Sequence, residues 1–215
     1  MKYITVALAK GRLAKTAVSM FEKMGFDVAE MMEKSRKLIF TDEKTKMKFI
    51  LVKASDVPVY VEYGAADIGI VGRDTILEED RYLYETLDMG FGACRMAVAG
   101  FEQMKDRIYT ASNLKVATKY PRIAKEFFHG KKGQTIEIIP LSGSVELAPL
   151  VGLSDVIVDI VESGDTLREN GLCVLDEICG LSAWLIVNRV SMKMERQRIM
   201  QVVQGLKELT SDHSK

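Results

Sequence analysis

The chain has 215 residues, 47% of them hydrophobic, enough for one large or two small α/β domains with a sizeable core. Its 30 basic and 30 acidic side chains cancel, so no global field holds nucleic acid or an anionic membrane, and any nucleotide it handles is expected to be a small molecule. No apolar run approaches the ~20 residues of a membrane span and no leader-like segment opens the chain, so a cytoplasmic location is expected.

Tyr3 to Leu8 reads as a first strand ending at Ala9-Lys10-Gly11-Arg12, after which Leu13, Ala17, Met20, Phe21 and Met24 recur at helical spacing. Lys10, Gly11 and Arg12 therefore stand between a strand's carboxyl end and a helix's amino end, where open α/β sheets hold ligands. Two cations around a glycine that admits close backbone approach suit a pyrophosphate. Extended segments follow at Lys37 to Phe40 and Lys48 to Val52, then a helix from Ser55 or Asp56 to Tyr63. The apolar strand Asp67 to Val71 is closed by Gly72-Arg73-Asp74 at the next helix start.

A strand at Arg95 to Ala99 opens a second series: strand Leu114 to Thr118, helix Pro121 to Phe128, strand Ile136 to Pro140, a helix from Ser144 and a strand from Asp155. Leu172 to Ile178 and Ala183 to Val187 are further strands. Ile199, Val202, Val203, Leu206 and Leu209 stripe a final helix that is expected to pack back on the first lobe. β-Branched runs alternating with amphipathic stretches predict an α/β chain with largely parallel sheets.

The most informative stretch is DVIVDIVESGDTL, residues 155–167. An apolar strand carrying Asp155 and Asp159 runs into Ser163-Gly164-Asp165-Thr166, a turn whose backbone N–H groups and following helix suit a phosphate monoester. The carboxylates would repel that phosphate, but they can accept hydrogen bonds from ribose hydroxyls or hold Mg²⁺. Together these parts suggest 5-phosphoribosyl recognition. Read alone, the turn serves as well as an ordinary strand-to-helix connection, and two acids on a strand of this composition favour the functional reading because an unpaired buried charge is costly. Ser142-Gly143-Ser144-Val145-Glu146 is a second small-residue turn, fully accounted for as a helix cap.

Arg36, Arg73 and Arg95 fall at or near strand ends, whereas Lys44, Lys46, Lys131 and Lys132 read as solvated. Cys94, Cys173 and Cys179 fit no zinc spacing and read as reduced and structural. His129 and His213 are the only histidines, so any chemistry here does not rely on a histidine triad or a histidine-rich metal site.

Ala9-Lys10-Gly11-Arg12-Leu13, the DIGIVGRD segment at Asp67 to Asp74 and the long segment Glu146 to Leu172 resemble the catalytic chain of the ATP phosphoribosyltransferases of histidine biosynthesis, in the short form. The resemblance spans nearly the whole sequence. It implies a two-lobed fold like the type II periplasmic binding proteins, the active site in the inter-lobe cleft, with residues 1–93 and 184–215 as one lobe and 94–183 as the other, carrying the phosphoribosyl-binding turn. It implies that N1 of ATP displaces pyrophosphate from 5-phosphoribosyl pyrophosphate (PRPP), with Mg²⁺ carried by that substrate.

Position by position, the resemblance puts Ser163, Gly164, Asp165, Thr166 and Leu167 at the 5-phosphate, with Asp159, Asp155 and Glu146 near the ribose. Lys10, Gly11 and Arg12 face the pyrophosphate, Lys10 and Arg12 stabilising charge, and Arg36, Arg73, Asp74 and Arg95 face ATP. It further implies a homodimer assembling with a regulatory subunit related to histidyl-tRNA synthetase. A transferase for another nucleobase and a non-catalytic solute-binding protein are the competing readings. Two acids separated by Val156-Ile157-Val158 speak against the first, since such transferases commonly place theirs side by side, and the absence of a secretory leader against the second.

Overall fold

The computed structural model describes residues 2–33, 36–131 and 133–211; Lys132 and His213 lie outside them. The chain forms two compact units, one built from Met1–Gly92 and Ser182–Lys215, the other from Ala93–Leu181.

In chain order the first unit holds β1 (Ile4–Ala9), α1 (Arg12–Lys23), α2 (Ala29–Met32), β2 (Ile39–Asp42), β3 (Met47–Val52), α3 (Val57–Glu62), β4 (Ile68–Gly72), α4 (Arg73–Glu79) and β5 (Tyr84–Asp88). The second holds β6 (Cys94–Gly100), β7 (Leu114–Thr118), α5 (Pro121–Lys125), β8 (Ile136–Pro140), α6 (Leu147–Leu150), β9 (Val156–Val161), α7 (Asp165–Glu169) and β10 (Cys173–Leu181). The chain then returns to the first unit with β11 (Ala183–Val187), α8 (Arg189–Met194) and α9 (Arg196–Ser211).

The first unit's sheet runs β2-β3-β1-β4-β11-β5. Its centre is parallel, β1 pairing with β3 and β4, whereas β2 and β11 run against their neighbours. Two apolar layers cover it. Phe21 from α1 and Phe49 from β3 meet edge to face with centroids 5.0 Å apart, and α9 adds Ile199, Val202, Val203 and Leu206 to the same cluster. On the other face, Val57 and Val61 of α3 pack on Ala7, Val71 and Ile186. Val57 and Val61 come so close to Gly69 that a methyl there would sit 2.8 Å from each.

The second unit's sheet runs β10-β6-β9-β7-β8. β7, β8 and β9 are parallel, and β6 and β10 are antiparallel. Parallel strands need crossover helices and so dominate where helices alternate with strands, but β6 and β11, each next to a crossing between units, run against the parallel strands beside them, and β10 in turn pairs antiparallel with β6. The expectation of largely parallel sheets thus holds for the centre of the first sheet, β3-β1-β4, and for one side of the second, β9-β7-β8.

Smaller differences have local causes. The segment before α3 is a 3₁₀ turn over Ala54–Asp56, and neither Ser55 nor Asp56 caps α3 with its side chain. α5 stops at Lys125 and continues as a π-helical turn over Glu126–Lys131. The Ser142–Glu146 segment is no side-chain cap: Ser144 adopts a left-handed φ of 48° and the helix begins only at Leu147. None of the three cysteines is in a disulfide. Among the described residues no helix is long and apolar enough to cross a membrane.

Candidate functional site

In the second unit, the carboxyl end of β9 and the start of α7 enclose a pocket of about 330 Å³. Glu146, Asp159 and Ser163 to Leu167 all line it, so the structure brings together seven of the eight residues that the sequence reading assigns to a phosphoribosyl group.

The exception is Asp155, which stands at the opposite end of β9. Strands rise about 3.3 Å per residue, so it lies about 13 Å along the strand from Asp159. Its carboxylate accepts the Lys115 N–H at 2.8 Å, and its own N–H donates to the Lys115 carbonyl at 2.9 Å. Asp155 closes the β7–β9 ladder and takes no part in the pocket.

β9 explains where Asp159 points. Its odd-numbered side chains Ile157 and Val161 belong to the cluster made with Val145, Ala148 and Leu167, so Asp159 faces the same side as α6 and α7. The turn is set by Gly164, whose φ of 79° is left-handed and strained for any residue with a Cβ. Beyond it, the N–H groups of Thr166 and Leu167 stand at the open end of a helix, where no preceding turn supplies carbonyls. α7 is only five residues long, so its dipole is small and the N–H groups themselves are what can hold an anion.

The turn is braced from within. Ser163 Oγ donates to Asp165 Oδ2 at 2.6 Å, Arg168 Nη1 donates to the Ser163 carbonyl at 3.1 Å, and Arg168 also pairs with Asp165. The Ser163 hydroxyl, then the Arg168 charge, hold the Asp165 carboxyl below the usual carboxylate range. Arg95 lies at this end of the sheet too, paired in register with Val161, with Glu177 Oε2 3.8 Å from its Nη1. It belongs to the second unit, apart from the other arginines it was grouped with.

In the first unit, three parallel strands end side by side. Val6 and Leu8 of β1 pair with Ile68 and Ile70 of β4, while Ala9 pairs with Val52 of β3. Lys10-Gly11-Arg12, Gly72-Arg73-Asp74 and Lys53 therefore occupy one sheet end. Antiparallel β2 starts there as well, since Ile39 faces Ile50 and the Leu38 carbonyl accepts the Leu51 N–H, so Arg36 lies just beyond that end. With strands about 4.8 Å apart, the row from β2 to β4 covers roughly 14 Å, comparable to an extended nucleoside triphosphate.

The electrostatics of this row call for an anion. α1 has 12 residues, no acid in its first turn, and Lys10 and Arg12 at its positive end, an arrangement that costs stability until an anion sits there. Gly11 has φ 117° and ψ −150°, open to glycine alone, and nothing within 4 Å of where its Cβ would stand, so the backbone is laid bare. Asp74 folds its carboxylate back over Gly72, accepting the Thr75 hydroxyl at 3.3 Å. Lys53 escaped the sequence reading because it resembles any solvated lysine after a strand; the signal was the strand's end at Val52.

The residues 53–208 match the family described as ATP phosphoribosyltransferase. Relatives of that name include a Lachnoclostridium phytofermentans protein, 60% identical over 99% of both chains. One from Ruminiclostridium cellulolyticum is 58% identical over 97% of both. Among solved structures, the ATP phosphoribosyl transferase (HisG:HisZ) complex from Thermotoga maritima has a chain 34% identical, with TM-score 0.84, covering 97% of this chain and 99% of that one. The periplasmic aliphatic sulphonate binding protein SsuA from Escherichia coli aligns with TM-score 0.60 over 98% of this chain and 73% of its own, at 13% identity. That likeness concerns the fold, and assigns this chain to the architecture of type II periplasmic binding proteins. With its sheet ends, its phosphate-sized turn and these relatives in agreement, the chain belongs to the ATP phosphoribosyltransferase family.

Proposed function

We propose that this chain joins N1 of ATP to C1 of PRPP, releasing pyrophosphate and forming phosphoribosyl-ATP at the start of histidine biosynthesis. The observation that carries the reading is the pocket in which Glu146, Asp159 and the Ser163–Leu167 turn meet, within a chain 60% identical to a named ATP phosphoribosyltransferase.

In this reading the second unit holds the sugar. The N–H groups around Thr166 bind the 5-phosphate, and Asp159 and Glu146 accept hydrogen bonds from the ribose hydroxyls. Their negative charge also favours a sugar that gains positive character at C1 as pyrophosphate departs. Lys10 and Arg12, with Lys53 beside them, take up the charge of the leaving pyrophosphate. Arg36, Arg73, Asp74 and Arg95 serve ATP. Alignment of N1, C1 and the leaving oxygen does most of the work, because the displacement needs no protein nucleophile.

Among the described residues no group of three or more His, Cys, Asp or Glu is placed to hold a metal ion. Mg²⁺ would come with PRPP and would supply charge neutralisation for the leaving pyrophosphate, Asp159 and Glu146 being the pocket's carboxylates that could help hold it. A cytoplasmic homodimer that assembles with a regulatory subunit resembling histidyl-tRNA synthetase completes the reading, supported by the Thermotoga maritima relative having been solved as a HisG:HisZ complex.

The test is mass-detected product formation from ATP, PRPP and Mg²⁺, with and without such a subunit, and with guanine, hypoxanthine and orotate as rival acceptors. A phosphoribosyl-ATP peak supports the reading. A product with a free base, or none even with the subunit present, overturns it.

A further inference from the structure

Arg73 opens α4 at the end of the first unit's sheet, and the strand beside it holds it in an unusual way. Its guanidinium carbon lies 4.7 Å from the centroid of Trp184, the only tryptophan in the chain. Its backbone N–H donates to the Ser182 carbonyl at 2.9 Å, and Trp184 Nε1 donates to Ser182 Oγ at 3.0 Å. Its Nε is buried with no hydrogen-bond partner among the described residues, and Glu85 Oε2, at 3.9 Å, is too far to supply one.

The indole is a fixed plate. β11 is paired on both sides, Trp184 standing opposite Val71 of β4 and Asp88 of β5, and the ring packs on the cluster of Val71, Ile76 and Ile186. A guanidinium stacked on such a face loses the freedom to rotate about its long stem while its outer N–H groups stay available to a phosphate. With Nε unbonded, stacking and a long-range carboxylate are what orient it.

We propose that Trp184 is a positioning residue for Arg73, holding its guanidinium ready for the phosphates of ATP. The inference rests on the reading that Arg73 serves ATP. Trp184 itself touches no substrate, and its effect passes entirely through Arg73.

Calorimetric titration with ATP of the native protein and of Trp184→Leu, Trp184→Phe, Arg73→Ala and the Trp184→Leu/Arg73→Ala pair tests this directly. Trp184→Leu is expected to raise the ATP Kd three- to thirtyfold and leave the PRPP Kd within twofold. Trp184→Phe, which restores an aromatic face, stays within threefold of native, and Trp184→Leu adds less than twofold once Arg73 is alanine. Equal weakening of ATP with and without Arg73, or a phenylalanine variant no better than leucine, overturns the proposal.

A second readout does not depend on ATP. The Arg73 Nε–H resonance should carry a ring-current shift that disappears in Trp184→Leu, and its absence from the native protein also overturns the proposal. If that shift is present and lost on substitution while native protein binds no ATP, the brace stands and the assignment of Arg73 to ATP falls.

Discussion

Arg168 reaches back across its own turn, its Nη1 donating to the Ser163 carbonyl at 3.1 Å while the same guanidinium pairs with Asp165. Both charged groups are well exposed, so the pair contributes little to global stability. Its consequence is local, because the atoms it ties are those of the phosphate-sized turn. Arg168→Ala is expected to leave the melting temperature within about 2 °C, equivalent to ~0.5 kcal/mol, and to raise the KM for PRPP about three- to tenfold. An unchanged KM would show that the turn holds its shape without the brace.

The same brace sets a titration. The Ser163 hydroxyl and then Arg168 stabilise the ionised Asp165, so its carboxyl should titrate below the ordinary aspartate range by carbon NMR. A depressed pKa means that the brace is intact above the ordinary value and is lost as pH falls through the depressed one. Between pH 6 and 8 it is therefore constant, and changes in PRPP affinity over that window belong to other groups. Ser163→Ala and Arg168→Ala should each move the Asp165 midpoint back up; a midpoint at the ordinary value in native protein would contradict the geometry.

Thr166 stands second in α7, where its N–H lacks a carbonyl and its side chain is exposed to the pocket. Thr166→Ala keeps the backbone donor and removes the hydroxyl. A lost hydrogen bond to a charged phosphate corresponds to about 1 to 3 kcal/mol, so the PRPP Kd should rise by roughly five- to 150-fold with ATP binding unchanged. A PRPP Kd equal to native would remove the hydroxyl from the phosphate site.

What the sequence made legible follows from how local each feature is. Asp159, Glu146 and the Ser163–Leu167 turn are close in sequence around one strand end, so strand period and turn chemistry alone group them. Asp155 shares that stretch, but strand direction carries it to the far end, where its carboxylate is engaged by the Lys115 N–H. β5, with the sequence Tyr84-Glu85-Thr86-Leu87-Asp88, has no buried position and so no alternation to reveal it. Its existence depends on the open edge of β11, a tertiary fact. The same holds for Lys53, Arg36 and Arg73, which share one sheet end only because β1 pairs with β3 and β4 and β2 with β3, and for the plate that Trp184 gives Arg73.

Gly69 lies in the buried centre of β4, and its φ is ordinary, so only space demands glycine. An added methyl would stand 2.8 Å from Val57 and from Val61 and 3.0 Å from Ile186. Each neighbour is itself buried, so relief requires α3 to move off the sheet. Gly69→Ala should cost about 1 to 3 kcal/mol in denaturant unfolding, the range of overpacked cores. In the background of Val61→Ala the penalty should shrink by about half, because one of the two close contacts is gone; equal penalties in both backgrounds would mean that the strand, not α3, yields.

Arg198 ties the last helix to the chain's beginning. From α9 its Nη1 donates to the Lys2 carbonyl at 2.7 Å, and its Nη2 to the carbonyls of Thr45 and Lys46 at 3.2 and 3.1 Å. These carbonyls flank the start of β1 and β3, where the Lys46 oxygen also accepts the Ile4 N–H at 3.0 Å. The side chain is only 15% exposed, and Glu195 lies 3.7 Å away, so deleting the guanidinium removes its bonds to the part-buried Thr45 and Lys46 carbonyls as well as to the exposed Lys2 carbonyl. Arg198→Ala is expected to cost about 2 to 4 kcal/mol, since charge-assisted bonds are worth roughly 1.5 to 3 kcal/mol each and neighbours share the loss. Arg198→Lys keeps the charge but lacks the planar fork that spans two strands, and should recover less than half of that stability. Equilibrium unfolding of the two variants decides it: full recovery by lysine would make the clamp a matter of charge alone, and a shared loss would make it one of guanidinium geometry.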